Sequence, residues 1–281
     1  MKKNLYHSKK IKDNKLAQSL ILTPENAGWK YLGFEVCNIP IGQLWSTNTG
    51  IFEVAIVFLG GVADISSNVG CWDEVGDRDN IFSGLPHTLY LPPGTYFDIK
   101  AKTNVEVALC KARTDELFPA RVIYPQDVKV EIRGQGSFTR QVSNIILSDF
   151  SASRILIVEV YTPGGNWSGY PPHKHDNNDF PREVALEEYY YYRFKRPEGY
   201  ALQRIYSKNR RNDKTYRARD EDLILVREGY HQVAAPPGYD VYYLNALAGD
   251  IRSLVPQDDP DFTWIKSLSG EKDRRLPMVH I

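Results

Sequence analysis

Short runs of apolar residues alternate with turn-forming clusters along most of the chain. The runs are rich in Val, Ile, Tyr and Phe, which favour extended strands, and Pro or Gly residues separate them. They predict strands at Phe52–Leu59, His87–Leu91, Val105–Cys110, Val128–Ile132, Ile155–Tyr161, Tyr189–Phe194, Leu223–Val226 and Val241–Leu244. Helical turns are expected only near Pro24–Gly28 and around Phe262–Leu268. This pattern predicts an all-β sandwich or barrel.

The two halves of the chain carry a weak internal repeat. The segment GIFEVAIVFLGG at 50–61 resembles LEEYYYYRF at 186–194, because each is a carboxylate followed by an apolar and aromatic strand. A charged, turn-rich stretch at 125–140 lies between the halves. The repeat predicts one fold used twice, with a first unit at residues 1–130 and a second at 131–281.

Composition narrows the classes of partner and the cellular compartment. The 281 residues include 35 basic and 35 acidic side chains, so no net charge draws the chain to nucleic acid or acidic membranes. No apolar run approaches the roughly 18–20 residues of a membrane span, and the N-terminus lacks the pattern of a signal peptide. Three dispersed cysteines suit a reducing compartment. We therefore expect a cytoplasmic protein with neither a nucleic-acid nor a membrane partner.

Ligand-type side chains are concentrated in the second half. His173 and His175 follow Pro171 and Pro172, which favour an extended backbone. On an extended segment, residues at i and i+2 point to the same face. Two surface histidines beside a turn would give the same pattern, but a later carboxylate and a later histidine favour a metal site.

Glu187, Glu188 and His231 complete the candidate set. The two glutamates are adjacent at the start of a strand, so only one can face an interior, and the pattern alone does not choose between them. His231 follows a glycine turn and precedes a β-rich stretch. Imidazoles and one carboxylate from three strands can surround a divalent metal that acts as a Lewis acid on an oxygen-rich substrate.

The first half lacks the equivalent ligands. No His-x-His motif precedes Glu53, and superimposing Gly94 on Gly229 places Tyr96 at the position of His231. We therefore predict that only the second unit holds a metal.

Other polar residues are weaker candidates for contact with a substrate. Arg204 and Tyr206 share one face of a predicted strand, and Tyr243 and Asn245 share a face of another. For each of them a structural role is at least as consistent with the pattern. The chain has no nucleophile elbow, P-loop or dinucleotide-binding glycine motif, which argues against the enzyme classes that depend on them.

The order His-x-His, Glu, then a histidine after a glycine turn resembles the cupin pattern, a double-stranded β-helix barrel with a metal in its mouth. In cupins the ligand glutamate directly precedes the hydrophobic strand, which implies Glu188 rather than Glu187. Twelve residues separate His175 from Glu188, more than the usual three or four, and imply an inserted loop, DNNDFPREVAL.

The segments YPPHKHD, LEEYYYYR, DLILVREGYH, APPGYDVYYLNALAG and TPENAGWKYLGFEV narrow the resemblance. Together they are similar to bacterial 5-deoxy-glucuronate isomerases of myo-inositol catabolism and, more distantly, to uronate ketol-isomerases. The similarity spans nearly the whole chain and implies a bicupin. The implied reaction is the aldose–ketose conversion of 5-deoxy-glucuronate to 2-deoxy-5-keto-gluconate.

The resemblance also implies roles for single residues. His173, His175, Glu188 and His231 would bind a divalent metal, with zinc or manganese favoured, and Glu188 would also be catalytic. From the strand faces described above, we take Arg204, Tyr206 and Asn245 as candidates for binding the small sugar acid, with Arg204 on its carboxylate. Whether the protein forms a homo-oligomer is left open by the sequence. The competing classes are a cupin dioxygenase, which turnover without oxygen would exclude, and a sugar-binding module without catalysis.

Overall fold

The computed structural model describes residues 3–9 and 15–280, and most of its regular structure is β-strand. The first eleven strands are β1 Leu5–His7, β2 Ala17–Leu22, β3 Leu32–Ile39, β4 Leu44–Asn48, β5 Phe52–Gly60, β6 Ala63–Ser67, β7 Gly70–Val75, β8 Thr88–Leu91, β9 Tyr96–Ala101, β10 Val105–Arg113 and β11 Arg121–Ile123. The remaining strands are β12 Lys129–Arg133, β13 Arg140–Ile146, β14 Ile155–Thr162, β15 Trp167–Lys174, β16 Glu187–Phe194, β17 Tyr200–Tyr206, β18 Asp213–Arg219, β19 Asp222–Val226, β20 Tyr230–Ala234, β21 Val241–Ala248 and β22 Gln257–Asp258. The predicted all-β class is confirmed.

Helical elements in the described part of the chain are short. They are the α-helix α1 Pro24–Ala27 and the 3-10 helices Pro125–Asp127, Gly136–Phe138 and Pro260–Ser267. Thr23 caps α1 by accepting a hydrogen bond from the backbone N–H of Asn26, and Gly28 ends it in the left-handed conformation. None of the helices among these residues is long and apolar enough to cross a bilayer.

The strands form two compact units that are not simple halves of the chain. The N-terminal unit comprises Ser8–Val128, Asp149–Ile155 and the end of the chain from Val279, and the C-terminal unit comprises the segment up to His7, Lys129–Ser148 and Leu156–Met278. The first residues join the C-terminal unit because β1 pairs with β19, with Leu5 opposite Ile224. The observed units therefore differ from the expected units, residues 1–130 and 131–281, in these short segments.

Two antiparallel sheets form the N-terminal unit, in the orders β11-β8-β5-β10-β3-β2 and β4-β9-β6-β7. Large apolar side chains fill its interior, and the rings of Trp45 and Phe97 meet edge to face at 6.3 Å. Tyr96, which the repeat places at the position of His231, is 69% exposed. Successive residues of a strand point to opposite faces, so Phe97 rather than Tyr96 faces the core.

The buried Glu53 carboxylate has protein donors around it. The Tyr90 hydroxyl donates to its Oε2 at 2.8 Å. Three backbone N–H groups also donate to it, from Ser153, Arg154 and Ile155 at 2.8, 2.7 and 2.9 Å. The carboxylate therefore holds a distant stretch of chain against β5, and these hydrogen bonds offset the cost of burying its charge.

The C-terminal unit contains a seven-stranded sheet, β1-β19-β16-β21-β14-β13-β12, and a five-stranded sheet, β18-β17-β20-β15-β22. Tyr190, Tyr192 and Tyr243 belong to its buried core together with aliphatic side chains such as Val142 and Val233. Strands from both sheets hold the ligand-type residues that the sequence identifies: β15, β16 and β20 carry His173, the glutamates and His231, and His175 directly follows β15.

Candidate metal centre

Three imidazoles meet inside the C-terminal unit. His173 lies in β15, His175 follows that strand directly, and His231 lies in β20, where its Cα atom is the register partner of His173. The ring centroids of His173 and His231 are 4.6 Å apart, and those of His173 and His175 are 5.3 Å apart. One ring nitrogen of each residue lies within 4.8 Å of those of the other two. Strand pairing therefore brings together residues that are far apart in sequence.

Backbone carbonyls orient two of the rings. Nδ1 of His173 lies 3.3 Å from the carbonyl oxygen of Pro171, and Nδ1 of His231 lies 3.2 Å from that of Gly229. A carbonyl can only accept, so each Nδ1 donates its hydrogen, and in the neutral ring Nε2 keeps a free lone pair. That tautomer is the one in which Nε2 can bind a metal.

Glu188 adjoins the three rings. Its side chain is 3% exposed, and its Oε2 lies 3.0 Å from Nε2 of His231. The contact does not have hydrogen-bond geometry, whereas Oε1 accepts a hydrogen bond of 2.9 Å from Nδ2 of Asn245. Glu187 is partly buried and, as the residue directly before Glu188 in β16, points to the other face of the sheet. Of the two glutamates, only Glu188 faces the histidines.

The electrostatic environment keeps two rings neutral and the carboxylate charged. Burial lowers the pKa of His173 well below its usual range and lowers that of His175 to about 4. For Glu188, burial raises the pKa, but the neighbouring histidines outweigh it and the net pKa is lowered. Burial likewise lowers the pKa of His231, yet the Glu188 charge raises it overall. Two neutral imidazoles and an ionised carboxylate are the forms that bind a cation.

Buried polar atoms in this cluster fit a divalent metal. Nδ1 of His175, Nε2 of His231 and Oε2 of Glu188 are all buried and lack a hydrogen-bond partner among the described residues. Leaving such atoms unsatisfied costs about 1–3 kcal/mol each, more when the group is charged. Three imidazoles and one carboxylate form a donor set that accepts several first-row divalent metals. The residues present therefore suit the metal that the sequence predicts.

A cavity of about 440 Å³ adjoins the cluster. Its lining residues are Arg133, Gly134, Gln135, Phe138, Arg140, Tyr170, Pro171, His173, His175, Leu254, Pro256, Asp258 and Lys266. This volume is within the usual range for small-molecule sites. The cavity thus combines two of the histidines with basic and apolar side chains.

The structure does not bring Arg204 and Tyr206 to this cavity, although both were predicted to bind substrate. Ile205, between them, is the register partner of His231, so it shares the inward face of the sheet. Arg204 and Tyr206 therefore point to the opposite face. There the Arg204 guanidinium pairs with Asp213, its Nε donating to Oδ1 at 2.8 Å, and the Tyr206 hydroxyl donates to Asp259 at 2.6 Å.

Asn245 does face the interior, where protein groups accept hydrogen bonds from its Nδ2. Its Nδ2 donates to Oε1 of Glu188 at 2.9 Å and to the backbone carbonyl of Tyr189 at 3.0 Å. These contacts hold the glutamate carboxylate beside the histidines. The geometry supports a role in positioning Glu188, and contact with substrate stays a prediction.

Sequence reasoning missed Arg140, which lines the cavity from the first residue of β13. The residue lies in the turn-rich stretch interpreted as a boundary between units. The sequence feature that could have identified Arg140 is its alternation with Val142 and Asn144, which places the arginine on the same strand face as an apolar residue.

Comparison with known proteins identifies relatives across the length of the chain. A family model described as the KduI/IolB family matches residues 4–265. A 5-deoxy-glucuronate isomerase from Geobacillus kaustophilus (strain HTA426) is 43% identical over 245 residues, which cover 87% of this chain and 89% of that protein. Another from Bacillus subtilis (strain 168) is 36% identical over 246 residues, covering 87% and 91%.

Comparison with solved structures points to the same family and to its fold. The crystal structure of an IolB-like protein from Salmonella typhimurium LT2 has a TM-score of 0.90 and 35% identity, covering 94% of this chain and all of that one. A Bacillus subtilis oxalate decarboxylase variant has a TM-score of 0.64 at 13% identity, covering 96% and 82%, which shows a shared fold alone. The predicted bicupin architecture is confirmed. On these matches, the chain belongs to the KduI/IolB family.

Proposed function

We propose that this protein isomerises 5-deoxy-glucuronate to 2-deoxy-5-keto-gluconate in inositol catabolism, at a divalent metal held in the C-terminal unit. The observation that carries the proposal is the cluster of partly buried His173 with buried His175, His231 and Glu188, beside a cavity large enough for a six-carbon acid. The choice of substrate rests on relatives of this chain that are named 5-deoxy-glucuronate isomerase.

The four residues would serve as the metal ligands. Their donor set does not select one metal by affinity, and we propose zinc or manganese as the resident ion. Bound there, the metal would act as a Lewis acid on the C1 carbonyl and C2 hydroxyl oxygens, making the hydrogen on C2 more acidic. The conversion moves one hydrogen from C2 to C1 and one proton from the C2 hydroxyl to O1, and it needs no external oxidant or reductant.

The protein side chains determine which groups can carry charge near the reacting carbons. Glu188 is ionised, and its lowered pKa favours a ligand over a general base, which works best with a pKa near the operating pH. Burial and the Glu188 charge raise the pKa of Tyr190 well above its usual value. Tyr190 therefore keeps its proton and can donate a hydrogen bond but cannot act as a base at neutral pH.

An anaerobic assay of the purified protein with 5-deoxy-glucuronate tests this function. We expect turnover without oxygen, its loss on chelation, and its return when a divalent metal is added. Deuterium at C2 should slow the reaction if breaking that bond limits the rate, and label lost to water would favour proton transfer over hydride transfer.

Two outcomes would contradict the proposal. Oxygen consumed in a fixed ratio to substrate would indicate a dioxygenase. Binding of the sugar acid without conversion by the metal-loaded protein would indicate a binding module.

A further inference from the structure

Arg140 carries a positive charge into the cavity without a carboxylate partner. It is partly buried and lines the same cavity as His173 and His175. Among the residues that the structure describes, no Asp or Glu side chain forms an ion pair with it. By contrast, Arg133, also on the cavity wall, pairs with Glu131 at 2.7 Å.

Backbone carbonyls bind the Arg140 guanidinium at one of its three nitrogens. Its Nη1 donates to the carbonyl oxygens of Phe138 and Tyr170 at 3.2 and 3.3 Å. An arginine has five N–H donors, and these two bonds use only the pair on Nη1. The Nε and Nη2 edge, with three donors, has no partner in residues 3–9 and 15–280. That edge has the fork geometry which binds a carboxylate through two parallel hydrogen bonds.

The surroundings make an unpaired cation costly. Burial lowers the pKa of Arg140, so the charged form is destabilised relative to water. The hydroxyl-bearing rings of Tyr190 and Tyr243 lie close enough to influence it electrostatically, and both belong to the buried core. An anionic ligand that enters the cavity would offset this cost, whereas a neutral ligand would not.

Arg140 is also tied to the strand that carries the histidines. Tyr170, one of its two carbonyl partners, lies in β15 three residues before His173. A carboxylate bound by Arg140 would therefore be placed relative to the metal ligands by direct backbone connection. The sugar acid has its carboxylate at one end and its reacting carbons at the other.

We propose that Arg140 binds the carboxylate of the sugar-acid substrate through its Nε and Nη2 donors and so makes the site selective for acids over neutral sugars. The assignment rests on the proposed function for the identity of the acid. Arg204 is excluded from this role because it lies on the outward face of β17 and already pairs with Asp213.

Two substrates and three variants test the assignment. The substrates are 5-deoxy-glucuronate and the same sugar with its C6 carboxyl reduced to an alcohol. The variants are Arg140→Leu, Arg140→Lys, and Arg204→Leu as the matched control on the outer face. For each metal-loaded protein, kcat/KM on both sugars, metal content and the Kd of the acid by calorimetry are measured.

We expect Arg140→Leu to lower kcat/KM for the acid by on the order of 100-fold, mainly through KM, since one partner of a charge pair is lost. Activity on the neutral sugar and metal content should change by less than about threefold. Arg140→Lys should recover about tenfold of the loss because it restores the charge without the fork. Arg204→Leu should leave the preference for the acid intact.

Equal losses on both sugars, or no loss on the acid, would overturn the role of Arg140. If the wild-type protein shows no isomerisation, the proposed function fails separately, and the calorimetric Kd still decides whether Arg140 binds the acid. An Arg140→Leu protein that does not fold leaves Arg140→Lys to decide, and unchanged selectivity in that variant would overturn the assignment.

Discussion

Replacing Asn245 by alanine should weaken metal binding rather than substrate binding. The side chain is 6% exposed, and its Nδ2 donates to Oε1 of Glu188 at 2.9 Å. A hydrogen bond to a charged group contributes about 1.5–3 kcal/mol. Without it the carboxylate loses its orientation beside His231, and metal affinity should fall by about 10- to 150-fold. Competition of the protein with a chromophoric chelator measures this affinity directly.

Asn166→Ala is the matched control for this experiment. Asn166 is 5% exposed, and its Nδ2 also donates to one carbonyl and one carboxylate, those of Thr139 and Asp273 at 3.0 and 2.9 Å. It should therefore lower stability to a similar degree without changing metal affinity. If Asn245→Ala binds metal as the wild type does and raises KM, the positioning role is refuted and contact with substrate is supported.

Two further predictions concern the same cluster. Glu188→Ala should lose metal and activity together while Glu187→Ala retains both, because only Glu188 faces the histidines. If elemental analysis shows metal retained in Glu188→Ala and lost in Glu187→Ala, then Glu187 is the ligand. In the metal-free protein, His231 should take up a proton first as the pH falls, because the charge of Glu188 outweighs burial, whereas burial keeps His175 neutral until about pH 4. NMR titration of the ring nitrogens measures this order, and a pKa of His175 at or above 6.5 would contradict it.

Patterns local to one segment are predictable from this sequence. The strand class follows from alternating apolar runs, and the pairing of His173 with His175 follows from their spacing on an extended segment. The sequence pattern could not separate Glu187 from Glu188, because a strand can present either face to a core. Burial of Glu188 on the same face as Tyr190 resolves that choice in the structure.

Relations between strands were harder to predict. Arg204 was assigned to the substrate because it shares a strand face with Tyr206, but which face points inward depends on pairing with β20, where Ile205 opposes His231. A shift of one residue in register reverses every side chain of a strand. Arg140 was missed for a similar reason, since it lines the same cavity as the histidines only because strands of two different sheets come together in one unit.

The repeat shows the same limit. Glu53 and Glu188 both begin hydrophobic strands, yet Glu53 accepts hydrogen bonds from a tyrosine and three backbone N–H groups, whereas Glu188 has one oxygen without a partner. Similar sequence thus leads to different chemistry, because the surrounding chain determines which donors are available. The metal-free character of the N-terminal unit stays a prediction.

We propose that isomerisation requires one divalent metal in the C-terminal unit. Elemental analysis of the purified protein, combined with an anaerobic assay on 5-deoxy-glucuronate before and after removal of the metal, measures this requirement. We expect about one metal ion per chain, turnover proportional to metal content and no oxygen consumed. Full activity in protein stripped of metal would show that the reaction does not depend on it.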